Sequence, residues 1–222
     1  MEKKILLTLT FALFLSRCNV GDQLSTQTDN YDSQSMALMA ETIAAFPADS
    51  LTSEEISGLI LMREEEKLAR DVYLHLYETW GTKIFRNIAN SEATHMEAVR
   101  LLIDRYELVD PVSEDIEGEF EDNGLATHYD DLTTFGDSSL VNAFTVGAII
   151  EDLDISDLMN LSAVTDNEDI LYVYDNLTRG SRNHIRSYVS NLNRYDETYA
   201  AQFISESLLD SILNTPKEVG NW

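Results

Sequence analysis

The stretch that decides the fold runs from residue 52 to residue 81 and reads TSEEISGLILMREEEKLARDVYLHLYETWG. Thr52 and Glu55 have the spacing of a capping box, in which each side chain bonds the backbone N–H of the other residue, so a helix is expected to begin here. Apolar residues then recur every three or four positions as far as Trp80, and Gly81 is a typical residue to end a helix. The stretch therefore predicts one long amphipathic helix.

Three more segments of this kind follow, and together they predict an all-α four-helix bundle. The second long helix is expected at Ile84–Tyr106, the third at Ser139–Leu161 and the fourth at Glu168–Leu192. A further capping box, formed by Thr165 and Glu168, is expected to open the fourth helix. Since an isolated amphipathic helix leaves its apolar face exposed, these four helices are expected to pack together.

The connections predict how the helices pair. Val112–Asp137 is too long for a tight turn, so it is expected to cross from the second helix to the third, with a short helix near Leu125–Leu132. Short helices are also expected at Met36–Phe46, before the bundle, and within the amphipathic segment Glu197–Leu213, after it. We therefore expect one domain at residues 35–222, in which the first two long helices pair and the last two pair.

The composition excludes some partners and favours others. The chain has 222 residues, of which 40 are acidic and 15 basic, a formal net charge of −25 and 44% hydrophobic residues. This apolar content is sufficient for a folded core, while the negative charge repels phosphate backbones and anionic lipid headgroups. Nucleic acid is therefore excluded as a partner, metal ions are favoured, and a homo-oligomer is compatible with the composition.

The N terminus has the pattern of an export signal. A charged start is followed by an apolar run that is too short to span a bilayer as a helix, and Cys18 closes this run. Leu15-Ser16-Arg17-Cys18 resembles a bacterial lipoprotein processing site, although that pattern prefers a small residue in place of Arg17. We expect a signal at residues 1–18, a polar tether at 19–34, and an extracytoplasmic lipoprotein of the bacterial cell envelope that touches the membrane only through acylated Cys18. Ordinary secretion and a cytosolic apolar start are the alternatives.

Each long helix has one apolar stripe, and side chains that can bind metal interrupt it near its middle. The interrupting residues are Glu66 in the first helix, Glu92 and His95 in the second, Glu151 and Asp154 in the third, and His184 in the fourth. An ionised carboxylate in a core costs several kcal/mol unless it is paired or bound to a cation. A shared metal explains all the interruptions together, and with Cys18 as the sole cysteine it has to rest on oxygen and nitrogen ligands. The alternative treats each residue singly, as an ion pair such as Glu66–Arg70, a bundle edge or a core histidine.

These interruptions lie in phrases that resemble a known family. Glu66-x-x-Ala69-Arg70-Asp71-x-Tyr73, followed after Gly81 by Glu92-x-x-His95, resembles the first hairpin of rubrerythrins and other ferritin-like di-iron carboxylate proteins. The stretch from Glu64 to Tyr188 is similar to a ferritin-like domain family of bacteria and archaea whose function is unknown. The similarity includes Gly147-Ala148-x-x-Glu151-x-x-Asp154 and Gly180-Ser181-Arg182-Asn183-His184.

The resemblance implies a ferritin-like bundle that holds two iron ions, with manganese and zinc as the alternative metals. In such bundles two helices each supply a Glu and two each supply a Glu-x-x-His. The residues that match this pattern are Glu66, Glu92, His95, Glu151 and His184, with Glu92 and Glu151 as bridges. Ser181 stands where the second Glu-x-x-His would have its Glu, so Asp154 is the expected replacement and Asp71 the reserve ligand.

A centre of this type implies an oxidoreductase that oxidises Fe(II) or reduces peroxide or oxygen, with a small oxidant as its partner. The alternative is a non-catalytic envelope bundle in which a structural or vestigial metal site supports an interaction module. Ser181, in place of a glutamate, keeps this alternative open. Tyr73, Tyr174 and Tyr188 are expected to border the site, and Glu64 and Glu65 are expected to face water.

Overall fold

The computed structural model describes residues 34–220, and its regular structure within that range is entirely helical. Residues from Leu38 onward form one unit. The predicted signal at 1–18, and the tether at 19–34 apart from its last residue, lie outside the described residues. Among the helices between residues 34 and 220, none is long and apolar enough to cross a membrane.

Seven α-helices follow one another along the described part of the chain. They are α1 (34–45), α2 (Ser53–Trp80), α3 (Lys83–Arg105), α4 (Asn123–Asp137), α5 (Leu140–Ser162), α6 (Glu168–Leu192) and α7 (Glu206–Leu213). A 3-10 helix at Asn193–Tyr195 follows α6 directly. The four predicted long helices correspond to α2, α3, α5 and α6, so the prediction of an all-α bundle is confirmed at this level.

The ends of α2 are fixed as the sequence predicts. The Thr52 hydroxyl accepts a hydrogen bond from the Glu55 N–H at 3.2 Å, and the Glu55 carboxylate accepts one from the Thr52 N–H at 2.8 Å. At the other end, Gly81 has a left-handed backbone with φ of 63°, and its N–H donates to the Tyr77 carbonyl at 2.8 Å. Glycine reaches this conformation without the steric cost that a side chain would bring.

The capping box predicted at Thr165 and Glu168 is wrong. The N-cap of α6 is Asn167, and its side chain does not bond the first turn of the helix. Thr165 and Asn167 instead both donate to Oε1 of Glu55, with the Asn167 amide at 2.7 Å. The polar side chains before α6 therefore attach its start to the start of α2.

Contacts across the bundle give the direction of each long helix. α2 packs along α3 and α5 packs along α6, while α2 also contacts α5 and α3 also contacts α6. Tyr73–Gly147 joins the second half of α2 to the first half of α5, and Glu55–Asn167 joins the start of α2 to the connection that follows α5. Ser91–His184 and Tyr106–Asp169 fix the direction of α3 against α6. Each of these pairs of helices is antiparallel, so α3 and α5 run in the same direction. The connection between α3 and α5 must therefore return along the bundle, as the predicted crossover requires.

The crossover covers one side of α2 and buries acidic residues there. Glu64 accepts hydrogen bonds from the backbone N–H groups of Glu121 and Asp122, at 2.6 and 3.3 Å. Both Glu64 and Glu65 are buried. The prediction that these two glutamates face water is wrong. The crossover supplies Glu64 with the hydrogen bonds that solvent would otherwise provide, and Glu65 is buried against Asp157 of α5.

The shorter elements differ from their predicted ranges for identifiable reasons. α4 extends beyond Leu125–Leu132 because it packs against both α2 and α5, and Asp122 caps its start. In the segment Glu197–Leu213 only α7 is helical. The buried carboxylate of Asp152 accepts hydrogen bonds from the successive backbone N–H groups of residues 202–204, which holds them in a non-helical loop.

Aromatic rings fill the core beside Gly147 of α5. The Tyr188 ring packs against the rings of Tyr73 and Phe85, with centroids 5.3 and 6.0 Å apart, and all three residues are fully buried. A Cβ atom at Gly147 would lie 2.4 Å from the Tyr188 ring. Because the other rings confine Tyr188, α5 can approach it this closely only where the helix has no side chain.

Gly147→Ala is therefore expected to lower the free energy of unfolding by about 2 kcal/mol. Overpacking costs about 1–3 kcal/mol, and a clash at 2.4 Å belongs to the upper part of that range. The better helix propensity of alanine stabilises the folded state by about 1 kcal/mol and offsets part of this cost. Urea unfolding followed by circular dichroism measures the difference. Ser190→Ala, on the exposed side of α6, is the propensity control and should change stability by less than about 0.5 kcal/mol. A Gly147→Ala variant as stable as the wild type would mean that the ring has room to move.

Candidate metal centre

Five of the predicted ligands meet in the middle of the bundle. Glu66 comes from α2, Glu92 and His95 from α3, Glu151 from α5 and His184 from α6, and all five are buried. They form two groups, Glu66–Glu92–His95 and Glu92–Glu151–His184, and within each group one ligand atom from every residue lies within 4.8 Å of the others. Glu92 belongs to both groups, so the two sets of atoms are joined through one carboxylate.

The first group is arranged around the His95 ring. Nδ1 of His95 lies 2.7 Å from Oε2 of Glu92 and 3.1 Å from Oε2 of Glu66. The spacing Glu92-x-x-His95 places both side chains on one face of α3, one turn apart. On the far side of the ring, a Cβ at Gly180 of α6 would lie 2.5 Å from the imidazole. Gly180 therefore lets the ring lie directly against the backbone of α6.

The second group is arranged around the His184 ring. Nδ1 of His184 lies 2.9 Å from Oε1 of Glu92 and 3.3 Å from Oε2 of Glu151, while Nε2 is 3.1 Å from the hydroxyl of Ser91. Within the described part of the chain, these three facing atoms of His184, Glu92 and Glu151 have no partner at hydrogen-bond geometry. The atoms therefore converge without pairing, and the Ser91 contact holds the ring in that orientation.

A tyrosine fixes the remaining oxygen of Glu151. The Tyr73 hydroxyl donates to Oε1 of Glu151 at 2.6 Å, deep in the core. Burial is the main cause that raises the pKa of Tyr73, and the Glu151 charge adds to it. The phenol therefore stays protonated and acts as a donor, and it leaves only Oε2 of Glu151 directed at His184.

Burial and charge act in opposite directions on the pKa values of the centre. Burial raises the pKa of Glu66 and that of Glu151 to about 7, although the adjacent histidines oppose the rise. Burial alone would lower the pKa of His184, but the charges of Glu92 and Glu151 outweigh it and raise that pKa to about 10. Burial would likewise raise the pKa of Glu92, yet His184 and His95 hold it below its usual range. The carboxylate shared by the two groups is thus the one that stays most firmly ionised.

The two residues expected to complete the ligand set take different positions. Asp154 is buried, and its Oδ2 has no hydrogen-bond partner among the described residues, but it belongs to neither group of converging ligand atoms. Burial, followed by the charges of Glu66 and Glu151, raises the pKa of Asp154 well above its usual range. Ser181 donates its hydroxyl hydrogen to the Leu177 carbonyl at 3.1 Å, within its own helix. The serine therefore supplies no charge in place of the absent glutamate.

Asp71, the reserve ligand, lies elsewhere. Its carboxylate accepts hydrogen bonds from Lys67 at 2.5 Å, from Arg70 at 2.9 Å and from the Gly118 N–H at 3.0 Å. It therefore holds the crossover on α2 and does not face the centre. The Glu66–Arg70 ion pair of the alternative interpretation is not formed, because Arg70 pairs with Asp71 and Asp115.

Two functional positions were missed in the sequence. Ser91 orients His184, and Gly180 makes room for His95, but neither side chain is charged and neither interrupts an apolar stripe. The available signal was their position in the sequence, since Ser91 directly precedes Glu92 and Gly180 lies one helical turn before His184. Residues that support a ligand leave a weaker mark on a sequence than the ligand itself.

Comparison with known proteins gives matches to one family. The model of the uncharacterized protein domain family DUF2202 matches residues 55–216. The uncharacterized protein MJ0754 of Methanocaldococcus jannaschii is 50% identical over 182 residues, which are 82% of this chain and 98% of that protein. The crystal structure of the hypothetical protein MJ0754 from Methanococcus jannaschii is similar with a TM-score of 0.77 and 49% identity, covering 78% of this chain and 99% of that chain.

The predicted location in a bacterial cell envelope is wrong. The similar protein comes from an archaeon, which lacks a bacterial cell envelope, so the family is not tied to that location. The lipoprotein assignment rested on the pattern around Cys18 alone, and Cys18 lies outside the described residues. The alternative function, a non-catalytic bundle, is therefore considered below without a role in the cell envelope.

Tyr73→Phe is expected to lower the free energy of unfolding of the metal-free protein by about 1–3 kcal/mol, because it leaves a buried oxygen of Glu151 without its donor. Urea unfolding in the presence of a chelator measures this change. Tyr77→Phe is the matched control, since that hydroxyl contacts Arg86 at the surface, and it should change stability by less than about 0.5 kcal/mol. Equal losses in both variants would show that the Tyr73 hydroxyl has no special role.

Proposed function

We propose that this chain, which belongs to the DUF2202 family, is a ferritin-like protein with a dinuclear iron centre of the di-iron carboxylate type. Membership follows because the family model covers residues 55–216 and a relative is 50% identical over 82% of the chain. The observation that carries this proposal is Glu92, whose two oxygens face two different histidines. A carboxylate placed in this way is suited to bridging two ions. The direction of the helices and the long crossover support the ferritin-like assignment.

The donor set fits the proposed metal. Three glutamates and two histidines offer oxygen and nitrogen ligands, which suit iron and manganese and also bind zinc. In the second group, three converging atoms lack hydrogen-bond partners among residues 34–220, and Oε1 of Glu66 in the first group is likewise unpartnered. Burying such atoms is costly unless a cation compensates them. Two ions between the helices would satisfy both groups.

The geometry supports a proposed role for each ligand. Glu66 and His95 would hold the first ion and Glu151 and His184 the second, with Glu92 between them. Glu151, expected from the sequence to be a second bridge, belongs to one group only, because Tyr73 engages its other oxygen. Ser91 would orient the His184 ring from behind, as outer hydrogen-bond partners of metal-bound histidines do.

The proposed activity is oxidation of Fe(II) or reduction of peroxide or oxygen. When bound, an iron pair supplies reversible one-electron oxidation and reduction, which a small oxidant can use. The chain contributes a buried setting in which Tyr73 keeps its proton and the rings of Phe85 and Tyr188 exclude water from one end of the centre. Such exclusion strengthens charge interactions within the core.

A second candidate function is a non-catalytic bundle with a structural metal site. The observation that favours it is the Ser181 hydroxyl, which bonds its own helix and leaves the ion at His184 one carboxylate short. Asp154 is buried one helical turn beyond Glu151, but it lies outside both groups of converging atoms. Uneven filling of the two positions would support this second function.

Removing metal is expected to lower the melting temperature. A ligand at about 100 times its dissociation constant stabilises the native state by about 2.7 kcal/mol, which is about 5–10 °C for a domain of this size. Calorimetric scans of apo protein with and without anaerobic Fe(II) measure the shift. Glu92→Gln should abolish most of it, whereas Glu97→Gln, a partly exposed residue of α3 paired with Arg100, should retain it. A wild type that melts at the same temperature in both conditions contradicts the metal centre.

Ser181→Glu is expected to tighten the weaker of the two ions. The added carboxylate would stand one turn before His184, and its attraction for a cation is strong in a low-dielectric core, so an affinity gain of about tenfold or more is expected. Isothermal titration of the metal into wild type and variant separates the two binding steps. Ser187→Glu adds the same charge outside the centre, and it should leave both steps unchanged. Identical titrations for Ser181→Glu and wild type would remove position 181 from the centre.

A further inference from the structure

A pocket of ≈ 160 Å³ lies between α2, α4, α5 and the loop before α7. His128 and Asp131 stand at its exposed end, and Glu65 and Asp154 at its buried end. The wall between the two ends is formed by apolar side chains, among them Leu132. The pocket therefore leads from the surface to two buried carboxyl groups.

The two carboxyl groups are incompletely satisfied. Oε2 of Glu65 and Oδ2 of Asp154 have no hydrogen-bond partner within residues 34–220, although the two residues are only 5% and 2% exposed. The Glu65 carboxyl also contacts that of Asp157 on α5, so a third acidic group stands at this end of the pocket. Asp154 also interacts electrostatically with Glu66 and Glu151 of the centre. The buried end of the pocket thus adjoins the candidate ligands, with unpaired oxygens on the way to them.

We propose that Glu65 and Asp154 form a transit site at which a divalent cation coming through this pocket is held before it reaches the centre. This inference rests on the proposed dinuclear centre. The oxygens of the two side chains would replace part of the hydration shell of the ion, while the apolar wall that separates them from His128 and Asp131 offers no ligand. An uncharged donor can bond these oxygens, but only a cation also offsets the acidic groups that cluster around Asp154, which include Glu65, Glu66 and Glu151.

The other pocket that touches the centre is less suited to a cation. It has a volume of ≈ 240 Å³ and reaches His95 and His184. The acidic residue of its lining, Glu218, is already paired with Arg182 and Arg186, and the lining also includes Arg179 and Lys217. Their positive charges oppose an approaching metal ion. Both histidines also direct Nδ1 at the carboxylates of the centre, so this pocket meets the rings from their other side. Of these two pockets, the one past Glu65 therefore offers a cation the more favourable approach.

The test measures the rate at which apo protein takes up Co²⁺ alone, followed by stopped-flow absorption. Glu65→Gln preserves shape and removes an ionisable oxygen that a cation would bind, and Leu132→Trp fills the pocket without altering a carboxyl group. Each variant should load about tenfold more slowly or worse, with the final number of bound ions unchanged. Glu197→Gln, at an exposed residue, removes an ionisable oxygen elsewhere and should load at the wild-type rate.

The outcomes separate this inference from the proposed function. If wild type, Glu65→Gln and Leu132→Trp all load at the same rate to the same stoichiometry, the centre stands and the transit site is overturned. If the wild type takes up no Co²⁺, the dinuclear centre itself fails. If Glu65→Gln and Glu197→Gln are slowed equally, overall charge controls the uptake, and the site at Glu65 is likewise overturned.

Discussion

The structure depends on one constraint, which is that five ionisable side chains must share the middle of a four-helix core. Burying such groups is tolerable only when each charge faces an opposite charge, a hydrogen-bond donor or an ion. Glu92 meets the constraint most completely, because a histidine lies against each of its oxygens. The positions of the two histidines follow from Glu92. They belong to the adjacent antiparallel helices α3 and α6, and both can reach Glu92 only when these two helices are in register.

The same constraint explains why five consecutive ionisable residues of α2, from Arg63 to Lys67, are all buried. Arg63 pairs with Asp110 after α3. Glu64 accepts hydrogen bonds from the crossover, Glu65 reaches the pocket towards α5, Glu66 faces His95 of α3, and Lys67 donates to Asp71 and to the crossover carbonyl of Ile116. Successive residues of a helix point about 100° apart, so such a run can be buried only if something covers every side of the helix. The crossover is therefore a structural part of the bundle, since it covers the side of α2 that α3 and α5 leave open.

The sequence predicted the long helices because their signals are local. The Thr52–Glu55 capping box and Gly81 act within a few residues of themselves, and they fixed both ends of α2 correctly. The interrupted stripes likewise located Glu66, Glu92, His95, Glu151 and His184, since a polar residue at a core spacing is visible without the fold. The second capping box failed because Thr165 bonds a residue 110 positions away, and no local pattern reports such a partner. The predictions for Glu64 and Glu65 failed for the same reason, because burial of Glu64 by the crossover and of Glu65 against α5 are tertiary effects.

The link between Glu55 and the start of α6 has a consequence for cooperativity. One oxygen of this carboxylate caps α2, and the other is bonded by Thr165 and Asn167 at the head of the second helical hairpin. If the second hairpin separated from the first, a buried carboxylate would lose two donors while α2 lost the neighbour that shields its first turn. A half-folded state with one intact hairpin therefore carries an electrostatic penalty at its end. The two helical hairpins therefore unfold as one unit, although the link between them lies far from the candidate metal centre. Amide hydrogen exchange at the starts of α2 and α6 should then occur through the same opening event.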